Sequence, residues 1–565
     1  MMEINEIKSR TELACKLGIP QKKLTYVLYI KGTDQLYTTF EIPKKSGGVR
    51  KIHAPEKDLK DIQKSLANIL VDYQSEIWKK RKIKPNISHG FEKKKGIMTN
   101  AEIHKNKRFI FNVDLENFFE SFHFGRVRGF FEKNKYFDLP LEVATIIAQL
   151  TCYKGTLPQG SPCSPIITNL ICNIFDMRIM KLAKRYRLDY SRYVDDLTFS
   201  TNDKRFIDDK EYFFEELSGE VEKAGFKINE KKTNLRYKDS KQIVTGLVVN
   251  KKINVDRCYY KKTRAMLNSL YKTDTFEIEG NTGTIKQIEG RLSFINQIDW
   301  HNNHRDSNKH DFRNLNAREK QYQAFLFYKY FFINDKPIVI TEGKTDIKYI
   351  QAALKKYYLK YPELIAKNDD HKFEYKIMFL KRTKRLNYFF GLNKDGADAM
   401  QNLYHYFYDY KQSNTTNYMK YFKDLSKKIP NNPTIFLFDN ELAGGNKPVK
   451  KFVNHISLPK TKFKELEKEE YVNLSESAYL LVNPIIDNKE ECEIEDLFLS
   501  DALEHKINDK TFCRDKGFRS DEHYGKEIFS NYVLKNYKTI NFENFQPMLD
   551  NLNEIISSYK NKYSN

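Results

Sequence analysis

The sequence predicts a multidomain chain in which an α+β portion precedes an α/β portion. Its 565 residues exceed one ordinary domain. In Ser191–Ser200 (SRYVDDLTFS), apolar and aromatic residues flank two adjacent acids, the pattern of a β-hairpin with Asp195 and Asp196 at its tip. Far downstream, the apolar runs Ile338–Thr341 and Thr434–Phe438 each end in acids, as parallel strands do when their C-terminal ends form an α/β site.

Taken in order, Glu3–Leu28 reads as helical, and Thr11–Leu24 (TELACKLGIPQKKL) reads as a short helix-turn-helix serving as a packing or RNA-docking cap. Ile42–Pro55 (IPKKSGGVRKIHAP) is a basic hairpin turned by glycines. Arg108–Phe119 is a hydrophobic strand that runs into Asp114 and then aromatics; Asp114 ends the strand, caps the next helix, or binds a cation. Gly155–Pro165 is dense in turn formers, and Ile166–Phe175 reads as a buried helix. Residues 259–330 carry helical periodicity and many cations, with Asp299–Asp311 as a loop. Asn334–Pro337 is a turn, and a helix begins near Asp346.

The net charge is +22, and cations stand beside aromatics, as in Lys133–Phe137 and Arg257–Lys262. Cations on phosphates and aromatics on bases suit a nucleic-acid partner, although an AT-rich genome, which encodes lysine-rich proteins, accounts for much of the lysine count. Seven cysteines lack paired metal spacing, so free thiols in a reducing cytoplasm are expected and a zinc site is not. No stretch suits a signal core or a membrane span.

Adjacent carboxylates at a hairpin tip cost free energy unless a cation holds them together. With Asp114 on a neighbouring strand, Asp195 and Asp196 would suit Mg²⁺-dependent phosphoryl transfer, in which two ions sit about 3.5–4 Å apart.

The order Asp114, Leu157–Pro162 (LPQGSP), Tyr193–Asp196 (YVDD) resembles the palm of a reverse transcriptase. The resemblance implies a right-hand polymerase: an N-terminal helical segment over 1–36, fingers and palm over 37–255, and thumb and connector over 256–333. It makes Asp114, Asp195 and Asp196 catalytic metal ligands. Lys44 and Arg50 would meet the triphosphate of a deoxynucleotide, Gln159 and Gly160 would press backbone against it, and Phe119 would be the steric gate. Lys232, in Gly225–Thr233 (GFKINEKKT), would protonate pyrophosphate or stay solvated. Val194 and Cys163 depart mildly from the family pattern. Asn100–His104 (NAEIH) and Val244–Gly246 (VTG) resemble the distinguishing motifs of bacterial retron reverse transcriptases, which implies RNA recognition by Asn100, Ala101, His104, Val244, Thr245 and Gly246. Such an enzyme copies its own structured noncoding RNA, priming from a guanosine 2′-hydroxyl to give branched RNA-linked single-stranded DNA.

Glu342, with Asp439 and Glu441, is similar to the acids of a TOPRIM domain, found in topoisomerases, primases and overcoming-lysogenization-defect nucleases; Glu441 stands where aspartate is usual. The resemblance implies a Mg²⁺-dependent nuclease effector over 334–565, with an insertion between Gly343 and Asp439, acting on a nucleic-acid substrate in anti-phage defence. Asp346, Glu495, Asp496 and Lys526 would support that site, although Asp346 also suits a helix cap and Lys526 a surface salt bridge. A non-catalytic nucleic-acid clamp over 334–565, or a mobile-element polymerase of the group II intron type, is the alternative. The chain is compatible with self-association into a homo-oligomer.

Overall fold

The computed structural model describes residues 3–44, 47–83, 86–305, 311–392, 397–409, 415–487, 489–514 and 518–563. Contacts divide the chain into two units, Met1–Arg257 and Cys258–Asn565.

In the first unit, helices α1 (Arg10–Leu17) and α2 (Gln21–Thr25) follow the expected helix-turn-helix, with Ser9 capping the start of α1 and left-handed Gly18 ending it. Their Leu13, Leu17 and Leu24 join a hydrophobic core with Leu59, Leu66 and Phe199. Strands β1 (Tyr37–Pro43) and β2 (Val49–Pro55) form the basic hairpin, with Gly47 and Gly48 at positive φ; Lys45 and Ser46 lie outside the described residues. Helix α3 (Lys57–Lys80) buries Leu59, Ile62, Leu66, Leu70 and Tyr73, one face at helical spacing.

Next come α4 (Ile97–Ile103), β3 (Phe109–Leu115), α5 (Phe124–Lys133) and α6 (Leu141–Thr151). Helix α7 (Ser164–Arg185) comes after the turn-rich loop, as expected, with Pro165 in its first turn where no amide partner is lost. Then come β4 (Asp189–Tyr193), β5 (Asp196–Thr201), α8 (Phe206–Lys223), β6 (Ile228–Tyr237), β7 (Ile243–Val244) and β8 (Leu247–Val248). The antiparallel sheet runs β4-β5-β3-β6. Its β3–β5 register sets Asp114 directly opposite Asp196.

The second unit opens with α9 (Arg257–Thr273), the hairpin β9 (Glu277–Ile278) and β10 (Asn281–Thr282), α10 (Ile285–Arg305) and α11 (Ala317–Phe327). The expected loop over Asp299–Asp311 is corrected in part: α10 continues through Arg305, because Asp299 and Asn302 stay buried on the face that Ile295 and Ile298 begin. Residues 306–310 lie outside the described residues. There follow β11 (Ile338–Thr341), α12 (Asp346–Lys356), the side hairpin β12 (Ile365–Lys367) and β13 (Phe373–Tyr375), β14 (Met378–Phe379), α13 (Lys384–Phe390), α14 (Ala397–Tyr404) and α15 (Tyr418–Ser426). Strand β15 (Thr434–Phe438), helices α16 (Pro448–His455) and α17 (Lys460–Glu469), and strands β16 (Tyr471–Asn473) and β17 (Ala478–Val482) complete the sheet region.

The five-stranded sheet runs β14-β11-β15-β17-β16, parallel except for edge strand β16. Alternation sends its side chains into two cores. Ile338, Ile340, Phe436, Phe438 and Leu480 face one that also holds Leu267, Tyr271, Tyr328 and Phe422. Val339, Ile435, Leu437 and Leu481 face another, with Tyr349, Phe498, Phe529 and Leu552.

Thus α9–α11 share a core with the sheet. Phe422 lies within 4.8 Å of Tyr271 and 4.9 Å of Tyr328, centroid to centroid. The Tyr328 hydroxyl donates to the Leu270 carbonyl at 3.2 Å, and Lys428 pairs with Asp274. Phe422→Ala is expected to cost about 3–5 kcal/mol. Hydrogen exchange should then show amides of α9 and β15 losing protection together; loss confined to α15 would contradict a common core.

Candidate functional site

The hairpin tip is strained and heavily braced. Val194 has a φ of 61°, a left-handed conformation that costs a β-branched residue about 1–2 kcal/mol. Arg192, fully buried, donates from Nε and Nη2 to Asp176 at 2.8 Å each, and from Nη1 to the Val194 carbonyl at 3.1 Å. Asn169 accepts a further bond from Arg192 at 3.2 Å. Neither Arg192 nor Asp176 was singled out in the sequence; the signal was a guanidinium in a buried strand and a carboxylate in an apolar helix. From the other side, Gly90 packs so closely that a Cβ there would lie 2.6 Å from Val194 Cγ2.

Asp195 and Asp196 are mostly buried in this tip. Burial, then repulsion from neighbouring acids, raises both carboxyls, Asp196 to about 7. Asp114 accepts from Lys232 Nζ at 3.0 and 3.1 Å and from Asn229 Nδ2 at 3.2 Å. Arg50 is close enough to pull the Asp195 carboxyl down against burial. Lys44 and Arg50 are exposed, and Phe119 is half-buried against Phe118 and Phe91. The Gln159 carbonyl accepts from the His53 amide at 2.8 Å, locking the turn-rich loop to β2. Gly160, at φ +118°, has no room for a Cβ, which would sit 2.8 Å from the His53 carbonyl oxygen.

Two acids on paired strands and a third in the adjoining turn, two of them raised by burial and repulsion from neighbouring acids, form a donor set that favours a divalent cation. Among the described residues no three His, Cys, Asp or Glu side chains already close into a metal cluster. Like charges repel, and the Lys232 ammonium supplies the neutralising charge at Asp114.

A family model, "Reverse transcriptase (RNA-dependent DNA polymerase)", matches residues 42–273. The retron Ec86 reverse transcriptase of Escherichia coli is 34% identical over 279 residues, covering 49% of this chain and 80% of that protein. The chain belongs to the retron reverse transcriptase family. It is therefore an RNA-directed DNA polymerase. The retron Mx65 reverse transcriptase of Myxococcus xanthus is 29% identical over 52% of this chain and 68% of its own length. A telomerase structure from Candida albicans, at 13% identity and a TM-score of 0.31, covers 52% of this chain and 60% of that one, too loose a likeness to add anything.

The two retron-like motifs meet behind the hairpin. Asn100, Ala101 and His104 are fully buried, as is Val244. The Thr245 hydroxyl donates to the Ile97 carbonyl at 3.2 Å, and Gly246 turns at φ 81°. Any part that Asn100, Ala101, His104 and Val244 play in RNA recognition would therefore run through the backbone they position, since their side chains are buried. Ser191 donates to Asn100 Oδ1 at 2.7 Å, so His104 donates to Ser191 through Nε2 at 2.7 Å and accepts from Ser200 through Nδ1 at 2.8 Å. A neutral imidazole thus ties β4 to β5 beneath the acids.

A second group of carboxylates gathers at the C-terminal ends of β11 and β15 in this reverse transcriptase. Glu342 is raised to about 7 by burial, then by Asp346 and Glu441, and its Oε2 is buried without a partner. Asp439 is raised by burial and by Asp346, Glu342 and Glu495. Its Oδ1 accepts from Asn483 Nδ2 at 2.7 Å and from the Ile494 amide at 2.8 Å. Asp346 accepts from the Gly343 amide at 2.7 Å, so it caps its loop while sitting in the charge cluster. Glu495 is nearly fully buried, with Lys526 at 3.1 Å, and Lys447 pairs with Glu441 at 2.6 Å. Arg382 donates to the Thr341 and Glu342 carbonyls at 2.8 and 2.9 Å.

Asp496 is corrected out of this group: Arg514 at 2.8 Å and Lys489 at 3.2 Å hold it, and it accepts from the Glu493 amide, so these bonds keep its carboxyl low despite burial. Asn483, Arg382 and Lys447 gave no sequence signal, being polar residues in loops or at a helix start. The orphaned Glu342 oxygen beside Asp439 fits a cation.

This charge balance has two measurable consequences. Burial lowers His104 to about 3, so its share of stability is present above pH 6.5 and is lost progressively as pH falls from 6.5 toward about 3. His104→Gln should flatten this acid loss in thermal melts and slow primer extension several-fold, with RNA affinity unchanged; weakened RNA binding alone would favour a part in RNA recognition. Asp196→Asn removes a repelling charge, so with chelator present the variant should melt higher than wild type at pH 8, and with Mg²⁺ restored it should have lost primer extension. A lower melt would mean that the acids do not repel.

Proposed function

We propose that the chain copies a structured noncoding RNA into branched RNA-linked single-stranded DNA, primed from a guanosine 2′-hydroxyl, with deoxynucleoside triphosphates as substrates. The observation that carries it is the register pairing Asp114 with Asp196 beneath the Asp195 tip, in a chain of this family. Asp114, Asp195 and Asp196 would hold Mg²⁺, which when bound activates the attacking hydroxyl and neutralises developing charge. Arg50 and Lys44 receive the triphosphate, Phe119 excludes a ribose 2′-hydroxyl, and the Gln159–Gly160 backbone supports the incoming nucleotide. Lys232, on Asp114 here, is then freed to face the pyrophosphate.

We further propose that 334–565 is a TOPRIM-like, Mg²⁺-dependent nuclease effector in anti-phage defence, restrained by the RNA–DNA product. Glu342, Asp439 and Glu441 would be its ligands, with Asp346 and Glu495 beside them. The four parallel strands, and the unpartnered Glu342 oxygen at their C-terminal end, support this reading. The core shared by α9–α11 and the sheet favours one competing reading, a non-catalytic clamp.

Glu342→Ala and, separately, Asp439→Ala distinguish the two. The nuclease reading expects lost phage protection in plaque assays with branched DNA at its usual level in the same cells. Full protection by both variants removes the nuclease; loss of the DNA product as well favours the clamp.

A further inference from the structure

Phe91 holds a costly conformation that burial does not repay. Its φ is 62°, the left-handed region that a bulky side chain rarely adopts, yet the residue is 54% exposed. The segment around it is fastened to the hairpin tip from several sides. The His89 amide donates to the Arg192 carbonyl at 2.8 Å, and the Arg192 amide donates to the Ile87 carbonyl at 2.9 Å. Asn169 Nδ2 donates to the Gly90 carbonyl at 3.0 Å and to Glu92 Oε1 at 3.1 Å. Gly90 lies against Val194 with no space for a Cβ.

Strained backbone persists where its surroundings over-determine it, and it gathers at functional positions. Here the strain places one ring. The Phe91 centroid lies 6.5 Å from that of Phe119, at an interplanar angle of 56°. Among the described residues Phe119 has one other aromatic neighbour, Phe118 at 5.5 Å. Phe118 is fixed in the core by Phe122 and Phe226. Phe91 belongs to no core, so it meets Phe119 from the solvent side. A half-buried ring that selects by collision works only if it cannot swing aside. Phe118 limits that swing from the core, and Phe91 limits it from outside.

We propose that Phe91 is a positioning residue for sugar selection, resting on the reading of Phe119 as the steric gate. Its ring restricts the rotamers of Phe119. The fastened Gly90 segment ties that restriction to the turn that carries Asp195 and Asp196. The gate is thus set against the acids twice, along the chain from Asp114 and across space from Val194. An aromatic pair at this separation shifts a conformational preference by roughly two- to tenfold.

Primer extension by the full chain, with a deoxynucleotide and its ribonucleotide counterpart, measures the ratio of their kcat/KM values. Phe91→Ala is expected to lower that ratio about fivefold, through a higher kcat/KM for the ribonucleotide. Phe91→Gly, which relieves the strained backbone and so guards against a folding defect, is expected to lower it as much. Phe91→Tyr keeps the ring and should hold the wild-type ratio. Phe119→Ala should lower the ratio further, and adding Phe91→Ala to it should change nothing more, because Phe91 acts through Phe119. If Phe119→Ala leaves the ratio unchanged, Phe119 is not the gate and the positioning role falls with it. If Phe119→Ala lowers the ratio while Phe91→Ala and Phe91→Gly do not, the positioning role alone is overturned. A loss shared by Phe91→Tyr, or one that adds in full to Phe119→Ala, overturns it too, since the Phe91 ring would not then be acting on Phe119.

Discussion

The polymerase half depends on one buried charge. Arg192 carries its guanidinium into an interior where no water reaches it, which is tolerable only because Asp176 neutralises it and Asn169 and the Val194 carbonyl take further donors. That ion pair anchors α7 to β4 and fixes the backbone of the strained turn. The turn in turn fixes where two mutually repelling aspartates stand. His104 does the same between β4 and β5 with neutral hydrogen bonds. The acids keep their positions because stiff, fully satisfied neighbours hold them against their own repulsion.

The second unit meets the same electrostatic problem with a different scaffold. Parallel strands bring Glu342 and Asp439 to adjacent ends, and Asp346, Glu441 and Glu495 crowd in from loops and helix starts. Lys447 and Lys526 balance part of the charge, as Lys232 does at Asp114. In each unit a flexible ammonium, at least two-fifths exposed, sits on a carboxylate that is at most 12% exposed. Such a cation can leave at small cost, whereas the carboxylate cannot move away.

Packing gives the second unit its other property. The sheet is apolar on both faces, so each face needs a cover, and α9–α11 with α15 supply one of them. Helices α9–α11 and the sheet share one core, so a force or ligand acting on α9 meets the side chains that pack on β15.

The sequence by itself determined the local elements and marked the carboxylates that form both acid groups. Hairpin, loop, helix and strand signals are short-range, so YVDD, LPQGSP, Ile338–Thr341 and Thr434–Phe438 were legible from spacing and residue type. The tertiary structure alone decided which distant residues meet. It placed Asp114 opposite Asp196, hid Asn100 and His104 behind the hairpin, turned Asp496 toward Arg514, and ran α10 through a polar stretch that looked like a loop. It also supplied partners that no pattern marks, among them Asp176 for Arg192, Asn483 for Asp439 and Lys447 for Glu441. The physical reason is that backbone preference acts over a few residues, whereas burial and charge pairing are settled by neighbours tens to hundreds of residues away.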